Sequence, residues 1–418
     1  MAKRIAAIVF IFLCTSLAWM VLGGTIVART GDSNSRLTGH VVATWGEAQV
    51  QSTPRASYSR TATEMIERTI DGRKVTEPAR RTVEYPLPLE RSNIRVGLNL
   101  EHRQKGLLWY STYKVDFDAE YQFLNPSDEE ESVTFCFKFP AEHAIYDDFR
   151  VLVDGRPMAA ATGGGFARVS TRLSPGRSVT YGVAYHSQGL QSWTYRFGNE
   201  VNQVRDFTLR MQTDFKEVDF PENTLSPTEK LSIPSGWELT WRYKNLLSGI
   251  DVGMKMPEKL QPGPVAGEIS FFAPVSLFFF FFLMFIITTL RNIELHPMNY
   301  FFLAAAFFAF HLLLAYLVDH LSIYLAFLLC SVTSILLVTS YLRLVVGLRF
   351  ALVEAALSQC VYLVLFSCAF FFKGFTGLTI TIGAIITLFV VMQMTGGIRW
   401  AEKFARKQLP SAPSPMVL

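Results

Sequence analysis

Cysteine is scarce in this 418-residue chain: there are five, and Cys14, Cys330, Cys360 and Cys368 fall in long apolar stretches. Cys136 stands alone in the polar remainder. No disulfide can form within that part, and the Cys136 thiol is expected to pack as a small apolar group. Catalytic signatures are missing too. The chain has no Walker loop, no His-Glu-x-x-His, no Gly-x-Ser-x-Gly and no paired-carboxylate constellation. It therefore lacks a motif for phosphoryl transfer, zinc proteolysis or acyl transfer. Gly163-Gly164-Gly165 is followed by no lysine–serine pair, which makes it a flexible connection and not a phosphate loop. Glu129–Glu131 are consecutive and lack calcium-ligand spacing. No enzymatic activity, cofactor or metal is expected.

What the chain has in abundance is apolar length. Its 35 phenylalanines include the run Phe278–Phe282, inside a charge-free stretch from Phe271 to Leu290. Twenty helical residues rise about 30 Å, the hydrocarbon thickness of a bilayer. Four more stretches qualify: Met298–Val318, Leu321–Leu342, Phe350–Phe372 and Thr376–Met394. Each is too long and too continuously apolar for a surface helix. A sixth, Ile5–Ala28, follows Lys3 and Arg4. It exceeds the apolar core of a cleaved signal peptide and lacks a convincing small-x-small site, so it reads as an uncleaved anchor.

Lysine and arginine placement sets the expected orientation. Lys3 and Arg4 hold the N-terminus in the cytoplasm, which exports the large segment after the first span. The alternation then puts Arg291, Arg343, Arg349 and the tail residues Arg399, Lys403, Arg406 and Lys407 inside, while the short outer loops hold only Asp319 and Lys373. The net charge of +4 is small, and an exported domain meets no nucleic acid.

The exported segment reads as strands. Tyr113, Val115, Phe117, Ala119, Tyr121 and Phe123 alternate with polar residues, a period of two with one apolar face. After the turn-rich Asn125-Pro126-Ser127-Asp128, Val133, Phe135, Phe137 and Phe139 repeat the pattern, and the two runs are expected to form an antiparallel hairpin. Asp154-Gly155 marks a second hairpin. Further runs lie at Val179–Tyr185, Phe207–Phe215 and Trp237–Tyr243, the last clear strand. Arg36–Gln51 and Pro54–Arg81 carry no plain pattern, although Ile70-Asp71-Gly72-Arg73 suits a hairpin tip. Basic residues there (Arg55, Arg60, Arg73, Arg80, Arg81) form either a solvated face or one that meets anionic headgroups. Many short strands argue for a β-sandwich. The predicted fold class is a mixed membrane protein: an N-terminal transmembrane anchor (1–28), an exported, mainly-β domain (29–256), a Pro/Gly linker (257–268), a bundle of five transmembrane α-helices (269–400) and a cytoplasmic tail (401–418).

Titratable residues inside spans are costly and are candidates by default. His311 lies deep in its span, Asp319 and His320 at that span's outer end, and Glu354 about one turn inside the fifth span, with Gln359 deeper. One reading is a proton or metal path through His311, Asp319 and His320. Spacings of eight and nine on one helix do not make a compact metal site. The other reading is structural: His311 bonding a neighbouring helix, Asp319 and His320 capping helix ends, Glu354 pairing with Arg343 or Arg349. His296-Pro297 opens a span with proline in the first turn, and His296 and Tyr300 share one face at the membrane interface.

Three stretches resemble the CreD family of bacterial inner-membrane proteins. The first is His296-Pro297-Met298-Asn299-Tyr300, continuing through Phe310-His311-Leu312-Leu313-Leu314 to Asp319-His320. The second is Glu101-His102-Arg103-Gln104-Lys105-Gly106, similar to a Glu-x-Arg-x-basic-Gly element. The third is Ser340-Tyr341-Leu342-Arg343, with Met392 and Trp400 further on, and Ser235–Trp241 resembles the strand before the return to the membrane. Asn299 stands where the family favours glutamine and His311 where it has tyrosine; Gly396 and Arg399 replace an arginine and an aspartate. The resemblance implies a role in cell-envelope integrity or stress tolerance at the inner membrane and carries over no catalytic residue. The expected partners are the lipid bilayer and a periplasmic or membrane protein, with a glycan or lipid as further ligands of the exported domain. A receptor relaying a periplasmic signal is the alternative, and a transporter a third reading.

Overall fold

A computed structural model gives the fold and describes residues 2–70, 73–105, 108–198, 202–372 and 374–397. Two compact units divide the chain: Ser35–Lys259, and Met1–Asn34 together with Leu260–Leu418.

Among the described residues the first unit holds the end of helix α1 (Ala2–Trp45) and sixteen strands. They are β1 (Gln49–Ser52), β2 (Arg55–Ile70), β3 (Arg73–Pro86), β4 (Leu89–Lys105), β5 (Leu108–Leu124), β6 (Glu131–Lys138), β7 (Tyr146–Val153) and β8 (Arg156–Met158). There follow β9 (Ala161–Gly163), β10 (Phe166–Leu173), β11 (Ser178–Leu190), β12 (Ser192–Arg196), β13 (Asn202–Thr213), β14 (Glu229–Ser232), β15 (Trp237–Ser248) and β16 (Val252–Lys255). An eight-stranded sheet runs β14-β15-β13-β4-β5-β11-β7-β8, a five-stranded sheet β3-β2-β6-β10-β9 and a three-stranded sheet β1-β12-β16. Their apolar faces share one core, with Tyr113, Tyr121, Phe135, Phe137, Tyr181, Trp193 and Trp241 fully buried.

The expected hairpin between Tyr113–Phe123 and Val133–Phe139 is not formed. β5 pairs with β4 and β11, and β6 pairs with β10 and β2, so the two runs lie in different sheets. Each run has one apolar face, and two such faces exclude more water stacked than side by side. Phe123 meets Phe135 edge-on at 6.1 Å, and Phe135 stacks on Tyr181 at 4.4 Å. Asn125 pins the crossing: it is fully buried, and its Nδ2 donates to the Leu173 and Glu129 carbonyls at 3.0 and 3.1 Å.

Other turns follow local chemistry. Asp154 and Gly155 both take positive φ (48° and 77°) and join β7 to β8 as predicted, the geometry a two-residue hairpin favours. Gly163–Gly165, expected to be a flexible connection, makes a tight turn instead, with Gly163 opposite Phe166. β2 and β3 form a long hairpin whose register ends at Ile70 opposite Arg73; its tip residues Asp71 and Gly72 lie outside the described residues. Strand β16 follows the run at Trp237–Tyr243 and pairs with β12.

In the second unit α1 is joined by α2 (Pro262–Leu290), α3 (Pro297–Leu317), α4 (Ile323–Val345), α5 (Leu348–Phe371) and α6 (Thr376–Thr395). All six helices are long and apolar enough to cross a membrane. Many large apolar side chains point outward, Leu328, Leu336, Leu357 and Phe389 among them, as on a lipid-facing surface. Two boundaries depart from expectation. Pro262 is the first residue of α2, so much of the expected linker is helical; a proline at that position forfeits no hydrogen bond. Helix α1 does not stop at Ala28. Its 44 residues rise about 66 Å, and the C-terminal part is held by packing of Leu37, Val41, Val42 and Trp45 on Leu108, Tyr110 and Leu190. At the start of α2, a Cβ on Gly263 would lie 2.5 Å from the Thr30 hydroxyl, so glycine lets α1 and α2 approach closely.

Helix α5 is irregular. Ala351–Ala355 and Cys360–Leu365 are π-helical, separated by one short α segment. Glu354 sits in the first wide turn and Gln359 between the two, so both fall where the helix changes phase.

Candidate functional site

The polar residues of the bundle form separate local contacts. His311 is buried, its ring edge-on to Trp19 at 5.6 Å and to Phe310 at 4.9 Å. Its Nδ1 lies 2.9 Å from the Phe307 carbonyl of its own helix, and Nε2 has no partner. The bond stays within α3 and does not reach a neighbouring helix. Asp319 pairs with Arg29 of α1 at 3.1 Å, and Arg29 also donates to the Ala315 carbonyl at 2.6 Å. His320 is exposed. Among the described residues no group of three His, Cys, Asp or Glu side chains converges in a metal-holding arrangement.

Glu354 is paired with Arg291, 2.5 Å away, and not with Arg343 or Arg349. Arg343 is exposed on the last turn of α4. The reason is geometric: Arg291 closes α2 beside the wide turn that carries Glu354, while Arg343 points out of the bundle. His296 caps α3 by accepting from the Met298 N–H at 3.2 Å, Pro297 fills the first helical position, and Tyr300 is fully buried against Phe281.

Hydroxyl and amide contacts that composition does not reveal tie the helices together. Tyr341 donates to Asn299 Oδ1 at 2.7 Å, joining α4 to α3. Gln359 donates to the Ser334 hydroxyl at 2.7 Å, and Ser334 donates to the Ala306 carbonyl at 2.7 Å, so three helices share one buried chain. Tyr362 donates to Thr387 at 3.0 Å, linking α5 to α6. In an apolar medium such bonds specify which helices meet. Ser334 and Thr387 gave no sequence signal, because small hydroxyl residues are ordinary in spans.

The Glu101–Gly106 element lies at the end of β4. Arg103 lies over the Trp45 ring at 3.4 Å and donates to Glu101 at 3.0 Å, while Lys114 approaches Glu101 at 3.8 Å. Lys105 pairs in register with Leu108, and Gly106 lies outside the described residues. Burial, with the charge of Lys259 adding to it, holds the His102 imidazole below its ordinary pKa, and His102 Nδ1 has no partner. The motif thus clamps the β4–β5 hairpin to the end of α1.

The outer face of the eight-stranded sheet carries a groove of about 440 Å³. Strand register builds it from two adjacent rows. One row runs Glu238, Gln212, Gly97, Asp116 and His186 across β15, β13, β4, β5 and β11. The next runs Arg210, Arg95, Asp118, Ala184 and Arg150 across β13, β4, β5, β11 and β7. Gly97 and Ala184 form the low points. His186 Nδ1 lies 2.6 Å from Asp116, Arg95 pairs with Asp118 at 3.2 Å, and Gln212 donates to Glu238 at 3.0 Å. Arg210 is directly opposite Arg95, and like charges so placed repel. Phe117 and Tyr185 line the groove from below but are buried in the core, so no aromatic face is offered outward. Elsewhere on the domain, Arg60 is engaged by Glu131 and by Glu129 at 3.1 Å. The side chains of Arg73, Arg80 and Arg81 lie outside the described residues.

Residues 271–401 match the family model described as inner membrane protein CreD. No curated protein matches the chain. Among solved structures, a "putative nutrient binding protein" of Legionella pneumophila subsp. pneumophila aligns at 10% identity over 56% of this chain and 76% of that one, with a TM-score of 0.35. An M1 zinc metallopeptidase of Deinococcus radiodurans aligns at 8% identity over 40% of this chain and 42% of that one, TM-score 0.28. Likenesses this slight bear on neither fold nor function. The matched stretch takes in α2 from Phe271, all of α3 to α6 and the His296–Tyr300 and Asp319-His320 elements, and over that stretch the chain matches the CreD family of inner-membrane proteins.

Proposed function

We propose that this protein contributes to cell-envelope integrity or stress tolerance without catalysing a reaction. Its β-rich domain is exported to the periplasm, its N-terminus stays in the cytoplasm, and the outer groove of the eight-stranded sheet is the binding face. The supporting observation is the register that sets Arg210 directly opposite Arg95 on an exposed sheet, with the Arg95 charge already met by Asp118 at 3.2 Å. Arg210 is then the cation of the pair left to meet an anionic group of a partner. The absence of an outward aromatic platform favours a partner with acidic groups over a neutral glycan.

The test is photo-crosslinking in cells, with the crosslinker at Gln212 in the groove and, as control, at Leu231 on β14. Capture of one partner from position 212 alone, lost in Arg210→Glu together with tolerance to detergent, is the expected result. Equal capture from both positions, or an Arg210→Glu strain as tolerant as wild type, would reject the groove. A reporter at residue 150 that is active only in the cytosol would reject the orientation.

A further inference from the structure

Around the start of α3 lies a second concavity, of about 610 Å³, lined by Arg4, Thr289, Glu294, His296 and their neighbours. Arg4 Nε and Nη2 are buried without a partner, and so is the Thr289 hydroxyl. The Tyr300 hydroxyl, fully buried beside Arg4 and Thr288, does not line the concavity. Buried polar groups are nearly always satisfied, so each exception asks for a missing partner. Guanidinium has no acceptor capacity, and only an acceptor-rich group can complete it.

The geometry narrows the choice. Nε and Nη2 form the side edge of the guanidinium, a fork of parallel donors that matches two oxygens of one phosphate. The backbone donors at the start of α3 are already engaged, Met298 N–H by His296 Nδ1 and Asn299 N–H by the His296 carbonyl. An anion would therefore be held by side chains and not by the helix end. Ile293 and Leu295 bring apolar surface to the same concavity. Glu294 also lines it and is exposed, placed to face a cationic group beside the phosphate.

We infer that this concavity binds the phosphate of a lipid headgroup, with the Arg4 fork on two phosphate oxygens and the Thr289 hydroxyl donating to it. The His296–Tyr300 element then shapes a lipid site: His296 occupies its own helix cap and leaves the anion to Arg4. Arginine at position 4 thus does more than bias orientation, a duty any cation performs.

Arg4→Lys separates the two duties, since lysine keeps the charge and loses the fork. The full chain, purified in dodecyl maltoside and delipidated, is titrated with phosphatidylethanolamine and bound lipid is counted by native mass spectrometry. Arg4→Lys is expected to bind about tenfold more weakly, as the loss of one charge-assisted pair of bonds implies, with Thr289→Val several-fold weaker. Lipid retention by Arg4→Lys equal to wild type would overturn the inference. If Arg4→Lys does not purify as a folded species, Thr289→Val decides, and wild-type binding by it would overturn the inference. Displacement of the lipid by micromolar inorganic phosphate would overturn the lipid assignment.

Discussion

Arg291→Gln should destabilise the bundle, and Arg343→Gln should not. The Glu354 side chain is 10% exposed, and Arg291, itself half exposed, lies 2.5 Å away. Removing one partner of a fully buried pair costs ~3–5 kcal/mol, because a desolvated charge is left behind. The exposure of Arg291 weakens the pair through solvent screening, which brings the expected loss to about 2 kcal/mol. That is roughly a thirtyfold shift in the unfolding equilibrium. Arg343, exposed at the end of α4, should stay within ~0.5 kcal/mol of wild type when neutralised. The assay is sodium dodecyl sulfate titration of the full chain in dodecyl maltoside, followed by circular dichroism. Glu354→Gln and the Arg291→Gln/Glu354→Gln double variant complete a cycle whose coupling should exceed ~1 kcal/mol. Equal losses in Arg291→Gln and Arg343→Gln, or a coupling near zero, would refute the reasoning.

Three further outcomes are expected. Arg103→Ala removes the cation from the Trp45 ring and should cost ~1–2 kcal/mol, read as faster amide exchange at both Leu108–Tyr110 and Val41–Trp45; exchange unchanged at either segment would count against the clamp. Because the folded pKa of His102 is depressed, the fold prefers the neutral ring: its stability is full above pH ~6.5 and declines as pH falls below that value. Melting between pH 7.5 and 5 should show this decline, and His102→Gln should flatten it. Phe135→Ala opens the space between the two larger sheets, at ~3–5 kcal/mol, and urea unfolding followed by tryptophan fluorescence should find less than 1 kcal/mol only if Phe135 does not bridge them.

The spans and the strand content were legible in the sequence for one physical reason: burial in lipid and burial on one sheet face each impose a pattern. Phe271–Leu290 could be nothing but a span, and Tyr113–Phe123 nothing but a strand. Pairing was less legible. Period-two alternation tells which face of β5 is apolar, but not whether the next apolar strand lies beside it or across from it, and β6 took the second place. The end of α1 was hidden because Arg29–Trp45 is weakly patterned and its helical state depends on Leu108, Tyr110 and Leu190, distant in sequence. The partner of Glu354 was misjudged for a similar reason. Helical spacing assumes regular turns, and the π turns of α5 shift the phase of everything they carry. Arg4, read from the sequence only as a topogenic charge, has its guanidinium edge enclosed by the fold.

The β2–β3 hairpin gives one strand two different fates. Only Arg55–Tyr58 of β2 are bonded to β6; from Ser59 to Ile70 its sole described neighbour is β3. A ribbon of two strands is barely stable in water without a third strand or a packed face. Deuterium uptake is expected to rise past Tyr58, where the bonds from β2 to β6 end. A protease nick in the ribbon would leave the buried tyrosines and tryptophans undisturbed, so trimming it offers a way to a smaller domain with the same interior.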